Sequence, residues 1–326
     1  MEQEKRRPWR RWVLLGLMIV GFILGGIFVP VQPEITAAPE KLIDEPLFSL
    51  PVIGDFYLVN TLPTLAVTVL IVIPLLAYFT NRSLTQSTQT DLVPSGIGNL
   101  MESILEILYN MTEGAAGKWV RTIFPWFATI MIYVLLANLL KLIPGFESIG
   151  VLHESHGESG HHIEPLFGNW WLFTHDEGEY ILAPFFRGIS VDLNFTVALA
   201  LVAVLAVQVV GFRALGFGYL KKFFNFGNVF KKPVFGVIDM FMGLLELVSE
   251  LSRVLSFAFR LFGNMFAGIV LVSVVGALLG RFSIVPAMIF MFELFVGVIQ
   301  AFVFGILTMV FMVMATHGHG EEHAQH

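Results

Sequence analysis

Cysteine is absent from this sequence, and charged residues are scarce. Among 326 residues there is no Cys, and Asp, Glu, Lys and Arg together make up 13%. Without cysteine, a disulfide-stabilised fold and a thiolate metal centre are both excluded. Soluble domains carry about 25% charged residues, whereas 56% of this chain is apolar and its mean hydropathy is +0.77. The composition therefore indicates an integral membrane protein.

Basic residues are also too few for a nucleic-acid-binding protein. The chain has 19 Lys and Arg against 25 Asp and Glu, a net charge of −6, and nucleic-acid binding requires a basic patch. A nucleotide-binding loop is missing as well. Gly117 and Lys118 stand in the order of such a loop, but Thr112 replaces its first glycine and Trp119 its Ser or Thr. We therefore expect no nucleic-acid partner, no nucleotide site and no cofactor.

Long uncharged stretches predict an all-α, multi-pass helical bundle. A helix needs about 20 apolar residues to cross the hydrocarbon core of a bilayer. Four stretches, 12–29, 58–80, 122–140 and 193–212, contain no charged residue. Two more, 236–280 and 282–316, are apolar but interrupted by Glu and Arg, and we expect them to form one long embedded helical hairpin over about 236–316. The sequence therefore predicts six membrane-embedded segments.

The distribution of cations predicts the orientation. The N-terminal segment and the loops at 81–121 and 213–232 hold thirteen Lys and Arg, whereas the loops on the opposite side hold four and are rich in Asp, Glu and His. Because short cytoplasmic loops are enriched in Lys and Arg, we expect both termini in the cytoplasm. This orientation requires that the first helix is retained. Cleavage of residues 1–38 as a signal peptide is the alternative, since small residues lie at 36–38.

Three parts follow from these features. Residues 1–57 contain the basic segment, the first hydrophobic helix and an outer loop; residues 58–316 form one membrane domain; residues 317–326 are a polar cytoplasmic tail. The membrane domain includes an amphipathic helix from residue 97 and a His-rich outer loop at about 144–190. Histidines among acidic residues can bind metals, but a solvated, pH-buffering surface is the commoner role of such a loop. We therefore predict no metal site.

Charged residues inside the last two spans are functional candidates, because a charge at the bilayer centre costs at least about 2.5–3.5 kcal/mol. Polar or small residues recur every three to four positions of the first of these spans and form one stripe: Glu246, Ser249, Arg253, Ser256, Arg260, Asn264 and Ala267. Arg253 has two glutamates within two turns, so a structural salt bridge is an alternative role for it. Arg260 has no acidic residue within two turns, and that alternative fails for it.

The last span carries Glu293 and Gln300 on one face. If the hairpin turns near Gly280, Arg260 and Gln300 are each twenty residues from the turn and therefore lie at matching depth, roughly 30 Å along their helices. By the same count Glu293 faces Ala267 and Gly268, nearer the outer surface. A lone guanidinium beside an amide, with one carboxylate towards each side of the membrane, suits a cation or proton path made of two separated half-access routes.

Residues 256–268, Ser-Phe-Ala-Phe-Arg-Leu-Phe-Gly-Asn-Met-Phe-Ala-Gly, closely resemble the signature of subunit a of the F-type ATP synthase, called subunit 6 in mitochondria. Residues 293–308 resemble the last helix of that family, and the similarity covers roughly 60–316. The resemblance implies a non-catalytic stator subunit in the bacterial plasma (inner) membrane. Its partners would be the membrane lipid, a rotor ring of c subunits on which the hairpin packs, the b-subunit peripheral stalk and the remainder of the synthase.

The resemblance also implies roles for individual residues. Arg260 corresponds to the essential gate arginine, and the residues assigned to the proton path are Glu293, Gln300, Asn264, Glu246 and Ser256. Position 269, often Glu or His in relatives, is Ile here, so we expect Glu293 with bound water to serve the outer path alone. A self-contained proton-coupled secondary transporter or channel, and a structural membrane anchor, are the other functions considered. H⁺ and Na⁺ both stay open as the transported ion.

Overall fold

The computed structural model describes residues 38–43, 45–51, 54–90, 96–143, 146–147, 149–154, 160–167, 170–223, 233–279 and 285–317. Within these ranges five helical segments are long and apolar enough to cross a membrane: Thr61–Ser83, Ile97–Leu140, Leu193–Leu220, Met240–Val275 and Met288–Thr316. The predicted multi-pass α-helical membrane fold is thereby confirmed. The first predicted span, 12–29, lies outside the described residues, and so does the tail beyond residue 317.

The described part of the chain contains seven α-helices. They are α1 Thr61–Val67, α2 Ile73–Thr90, α3 Ile97–Ala116, α4 Val120–Leu140, α5 Leu193–Leu215, α6 Pro233–Leu279 and α7 Val285–Thr316. A π-helical stretch, Thr68–Val72, joins α1 to α2 without a break. The amphipathic helix predicted from residue 97 is α3, and it starts after Gly96, whose positive φ of 62° is a conformation that glycine adopts readily.

The long hairpin consists of α6 and α7, which pack against each other. Helix α6 has 47 residues and at about 1.5 Å per residue is roughly 70 Å long, more than twice the hydrocarbon thickness. Such a helix must be strongly tilted or extend beyond the bilayer. Helix α6 also contacts α5, while α7 contacts both α4 and α5. Among the described residues, the hairpin thus packs on α4 and α5.

Two buried clusters hold the bundle together. The first lies among α4, α5, α6 and α7 and includes Val134, Ala203, Phe257, Leu261 and Phe304. The second lies among α3, α4, α5 and α7 and includes Leu108, Phe127, Val210 and Met312. The rings of Phe257 and Phe304 pack across the hairpin with centroids 4.9 Å apart. Because lipid tails are as apolar as these side chains, the association of the helices depends on close packing more than on transfer out of water.

The His-rich segment after α4 is a β-sheet, whereas the sequence analysis described it as a loop. Strands β3 Gly150–Glu154, β4 Gly160–Phe167, β5 Trp170–Gly178 and β6 Tyr180–Pro184 form an antiparallel sheet in the order β3-β6-β4-β5. A smaller hairpin, β1 Phe48–Leu50 and β2 Gly54–Phe56, precedes α1. Aromatic residues favour strands. The run Trp-Trp-Leu-Phe at 170–173 therefore indicates a strand, although the segment is rich in His and Glu.

Candidate functional site

Arg260 lies on α6 with no ion-pair partner among the described residues. Its side chain is half-buried, and Nη2 donates to Oγ of Ser256, one turn earlier on the same helix, over 3.4 Å. Asn264, one turn further on, is exposed like Ser256. Arginine stays charged in proteins. A permanent cation therefore lies on a face of α6 that the other described residues leave uncovered.

An amide pair links the two helices of the hairpin next to Arg260. Nδ2 of Asn264 donates to Oε1 of Gln300 over 2.7 Å, and Gln300 is 4% exposed. Nε2 of Gln300 has no hydrogen-bond partner among the described residues. The hairpin count predicted Gln300 at the depth of Arg260; in the structure it contacts Asn264, one helical turn further along α6.

Glu293 of α7 is paired with Lys141, which follows the last residue of α4. Nζ of Lys141 is 3.4 Å from Oε2 of Glu293, and the two side chains are 4% and 9% exposed. Nζ also donates to the backbone oxygen of Met265 over 3.4 Å. A side chain at Gly268 would overlap Oε1 of Glu293, which confirms the prediction that Glu293 faces Gly268. The pair therefore lies where α4, α6 and α7 meet.

A cavity of about 290 Å³ adjoins this pair. Lys141, Glu293, Gly268 and Asn264 line it together with apolar side chains. Since one water molecule occupies about 30 Å³ in the liquid, the cavity has room for several. Glu293 and Asn264 thus share one space, which extends from the ion pair towards the amide beside Arg260.

Two more charged groups lie close to the Lys141–Glu293 pair. Oε1 of Glu147 accepts from the backbone N–H of Gly188 over 3.0 Å. Burial raises the pKa of Glu147, the amide of Gly188 and the cations Lys141 and Arg187 lower it, and Glu293 raises it. We call these four residues, Lys141, Glu147, Arg187 and Glu293, the outer cluster, after the side predicted for them. It contains two positive and two negative groups.

A second group of charges, the inner cluster, lies towards the other end of α6. Nζ of Lys222 is 2.5 Å from Oε1 of Glu246 and 3.3 Å from Oε1 of Glu250. Nη1 of Arg253 is 2.6 Å from Oε2 of Glu250, and its guanidinium lies 4.0 Å from the centroid of the Phe311 ring. The structural salt bridge considered for Arg253 is confirmed. Glu246 is ion-paired as well.

Arg260 lies between the two clusters. Along α6 it is about 10 Å from Arg253 and about 12 Å from Gly268, at about 1.5 Å per residue. Neither cluster supplies it with a carboxylate among the described residues. The arrangement has two separate groups of ionisable side chains with one unneutralised cation between them.

A family model described as ATP synthase A chain matches residues 62–313. The chain belongs to the ATP synthase A chain family. ATP synthase subunit a of Trichlorobacter lovleyi is 30% identical over 245 residues, which are 75% of this chain and 82% of that protein. Subunit a of Helicobacter pylori is 31% identical over 73% of this chain and 85% of its own. Subunit a 3 of Pelobacter propionicus is 32% identical over 68% of this chain and 74% of its own length.

Membership of the ATP synthase A chain family establishes the general role of this chain. It is a non-catalytic, membrane-embedded subunit of the F-type ATP synthase and takes part in ion transport and ATP synthesis. A role inside a multi-subunit complex replaces the self-contained transporter and the structural anchor that the sequence left as alternatives.

The structure groups the sequence-predicted residues unequally. Glu293, Asn264 and Gln300 surround the same region, through the cavity and the amide hydrogen bond. Arg260 and Ser256 contact each other on the exposed face of α6. Glu246 is separate, because Lys222 holds it in the inner cluster.

Sequence reasoning missed five polar side chains of these arrangements. Lys141, Lys222 and Arg187 count in the sequence only as loop cations, and Glu147 and Asn138 do not stand out in it. Nδ2 of Asn138 on α4 donates to the backbone oxygen of Gly297 on α7 over 3.0 Å. A lysine at the end of a span ordinarily extends to water, so its position suggested solvent. The available signal was spacing: Asn138 and Lys141 are three residues apart and share one face of the chain at the end of α4.

Proposed function

We propose that this chain is the stator subunit that gives protons access to a ring of c subunits through two offset half-channels, with Arg260 separating them. In this proposal the outer cluster belongs to the half-channel that opens outside a bacterial plasma membrane. The inner cluster belongs to the half-channel that opens to the cytoplasm, where both termini lie if the first helix is retained. The observation that carries the proposal is Arg260, which lacks a carboxylate partner among the described residues and lies between two ionisable clusters.

The surface of α6 supports a rotor as the partner. In the apolar part of the helical segment Met240–Val275, only 17% of the residues are buried within the described chain. A lipid-facing surface does not need polar groups, yet Ser256 and Asn264 are exposed on this helix, and so is the small residue Gly263. Small side chains allow close approach of a second helix. We propose that the c-ring covers this face and that the b-subunit peripheral stalk keeps the stator from turning with it.

Arg260 would act on the carboxylate that each c subunit carries. A carboxylate can face lipid only in its neutral form, because the charged form carries a large desolvation cost. Opposite a guanidinium the ionised form is favoured. A rotor carboxylate that arrives at Arg260 therefore releases its proton into one half-channel and is protonated again from the other before it returns to lipid.

The same arrangement prevents a direct leak. A proton on one side cannot pass Arg260 along the stator, since the fixed positive charge repels it and no carboxylate among the described residues is paired with the guanidinium. It crosses only with the rotation of the ring. Each proton that moves down the membrane potential supplies about 2.3 kcal/mol per 100 mV, which biases the direction of that rotation.

The test is the Arg260→Ala variant of the whole synthase in inverted membrane vesicles. We expect ATP-driven acidification of the vesicle lumen to be abolished, while the amount of complex that co-purifies with the c-ring stays unchanged. Arg213→Ala is the matched control, because Arg213 is an exposed arginine in the last turn of α5 and belongs to neither cluster. Coupled pumping by the assembled Arg260→Ala complex would refute the role of Arg260 as a gate.

A further inference from the structure

We infer that Lys141 is a positioning residue of the outer half-channel: its ammonium holds the carboxylate of Glu293 in place beside the cavity that leads to Asn264. The inference rests on the proposed function, since it assigns a partner to one residue of the proposed path. It replaces the expectation that Glu293, with bound water, serves that path without a second charged group.

The ammonium of Lys141 lies between Glu293 of α7 and the backbone of α6. It is 3.4 Å from Oε2 of Glu293 and 3.4 Å from the backbone oxygen of Met265. Gly188 leaves the room for the stem of the lysine, because a side chain there would overlap Cβ of Lys141. With 4% exposure, the side chain of Lys141 is enclosed within the bundle.

One oxygen of Glu293 stays available for a proton. Oε2 faces the ammonium, whereas Oε1 has no hydrogen-bond partner among the described residues and lies against Gly268 at the cavity. A proton from the outer side would bind the carboxylate at Oε1 and leave it through water towards the rotor carboxylate. Lys141 takes no part in the proton transfer itself and acts only through Glu293.

The charged groups around Glu293 come from identified elements. Lys141 follows α4, Glu147 lies between α4 and β3, and Arg187 precedes the short helical turn Ile189–Val191. The facing part of α6 supplies Met265, Gly268 and the amide of Asn264, and Ile269 packs against the hydrophobic cluster instead of contributing an ionisable group. Lys141 is thus the one cation within ion-pair distance of Glu293 among the described residues.

Removal of this cation should change how Glu293 responds to pH. A buried carboxylate without a counter-charge takes up a proton more readily and releases it less readily. In the synthesis direction the rate depends on protonation from the lumen of inverted vesicles, which corresponds to the outer side. Lys141→Met should therefore move the midpoint of the dependence of the ATP synthesis rate on lumenal pH upward, by at least about one pH unit, whereas Lys141→Arg, which keeps the charge, should restore it.

The experiment measures ATP synthesis by the whole synthase in inverted vesicles at a constant driving force while the lumenal pH is varied. It compares Lys141→Met, Lys141→Arg, Glu293→Gln and the double variant Lys141→Met/Glu293→Gln. Lys41→Met is the matched control, since Lys41 is an exposed cation that lies over the ring of Tyr57. We expect no shift for the control and equal rates for Glu293→Gln and the double variant, because Lys141 acts only through Glu293.

An assembled Lys141→Met complex with an unchanged pH midpoint would overturn the inference. If Lys141→Met fails to assemble because it leaves a buried carboxylate unpaired, the double variant, which removes both charges, decides the question. A further loss of rate in the double variant relative to Glu293→Gln would show a role of Lys141 that does not pass through Glu293. Failure of the proposed function is distinguishable, because it shows as coupled pumping in Arg260→Ala whatever the Lys141 variants do.

Discussion

Gly268 provides the space that the carboxylate of Glu293 occupies. A side chain at this position of α6 would overlap Oε1 of Glu293 and come within 3.0 Å of its carboxyl carbon. Alanine itself favours a helix over glycine by about 1 kcal/mol, so a harmful effect of Gly268→Ala cannot come from helix propensity. The close contact makes the smallest side chain a specific probe of the position of Glu293.

We therefore expect Gly268→Ala to displace Glu293 from Lys141 and to lower the rate of ATP synthesis about ten-fold or more, since a misplacement of about 1 Å costs that much in a positioned site. The matched control is Gly114→Ala in α3, where a methyl group would meet no atom within 4 Å. Both rates are measured in inverted vesicles at equal content of synthase. Normal synthesis by Gly268→Ala would show that Glu293 does not need its present position.

Single residues differ in how far the sequence predicts them. The isolation of Arg260 follows from the chain alone, because no acidic residue lies within two turns of it, and the structure agrees for the described residues. The partners of Glu293 and Glu246 could not be predicted in this way, since Lys141 and Lys222 lie on distant segments. Ion pairs between helices depend on packing, which local spacing does not determine.

At the level of helices, α7 approaches α4 through a glycine. A Cβ atom at Gly305 would lie 2.8 Å from Cβ of Met131 and 3.0 Å from the ring of Phe127. Further along the same two helices, Asn138 donates to the backbone of Gly297 over 3.0 Å. Close backbone approach at small residues is how membrane helices gain contact in lipid. The position of Glu293 on α7 relative to Lys141 therefore depends on this contact.

Gly305→Val should force α7 away from α4 and destabilise the subunit by about 1–3 kcal/mol, the usual cost of overpacking. The measurement is the temperature at which the detergent-solubilised complex loses this subunit, and we expect it to fall. Gly114→Val makes the same chemical change at a site with open space and should leave that temperature unchanged. A complex of unaltered thermal stability with Val at 305 would contradict the close packing of the two helices.

The length of the apolar stretches predicts the membrane helices much better than the sequence predicts the strands at 150–184. The spans predicted at 58–80, 122–140 and 193–212 each coincide with a described helical segment, and the hairpin corresponds to α6 and α7. The reason is that the bilayer imposes one length and one hydrogen-bonding solution on every span. No such constraint acts on the segment at 150–184. Its strands depend on the alternation of side chains and on which strands pair, and composition does not reveal either.

For the whole molecule, the uneven burial of α6 predicts where the rotor lies. Ser252, Ser256 and Gly263 are exposed, whereas Ala258 on the same helix is completely buried within this chain. If the exposed face contacts the c-ring, residues on it must come close to the rotor carboxylate, and buried residues must not. The absence of cysteine from the natural sequence means that single cysteines can report such contacts without a prior substitution.

We expect Ser256→Cys to form a disulfide, under mild oxidation of membranes, with a cysteine placed one helical turn from the carboxylate of the c subunit. Disulfides require Cα atoms within about 7 Å of each other, so the product reports direct contact of the two helices. Ala258→Cys is the control and should give no product, because its side chain faces the interior of the bundle. Equal yields from both positions, or a Ser256→Cys residue that reacts only with a lipid-soluble maleimide, would place the rotor on another face of α6.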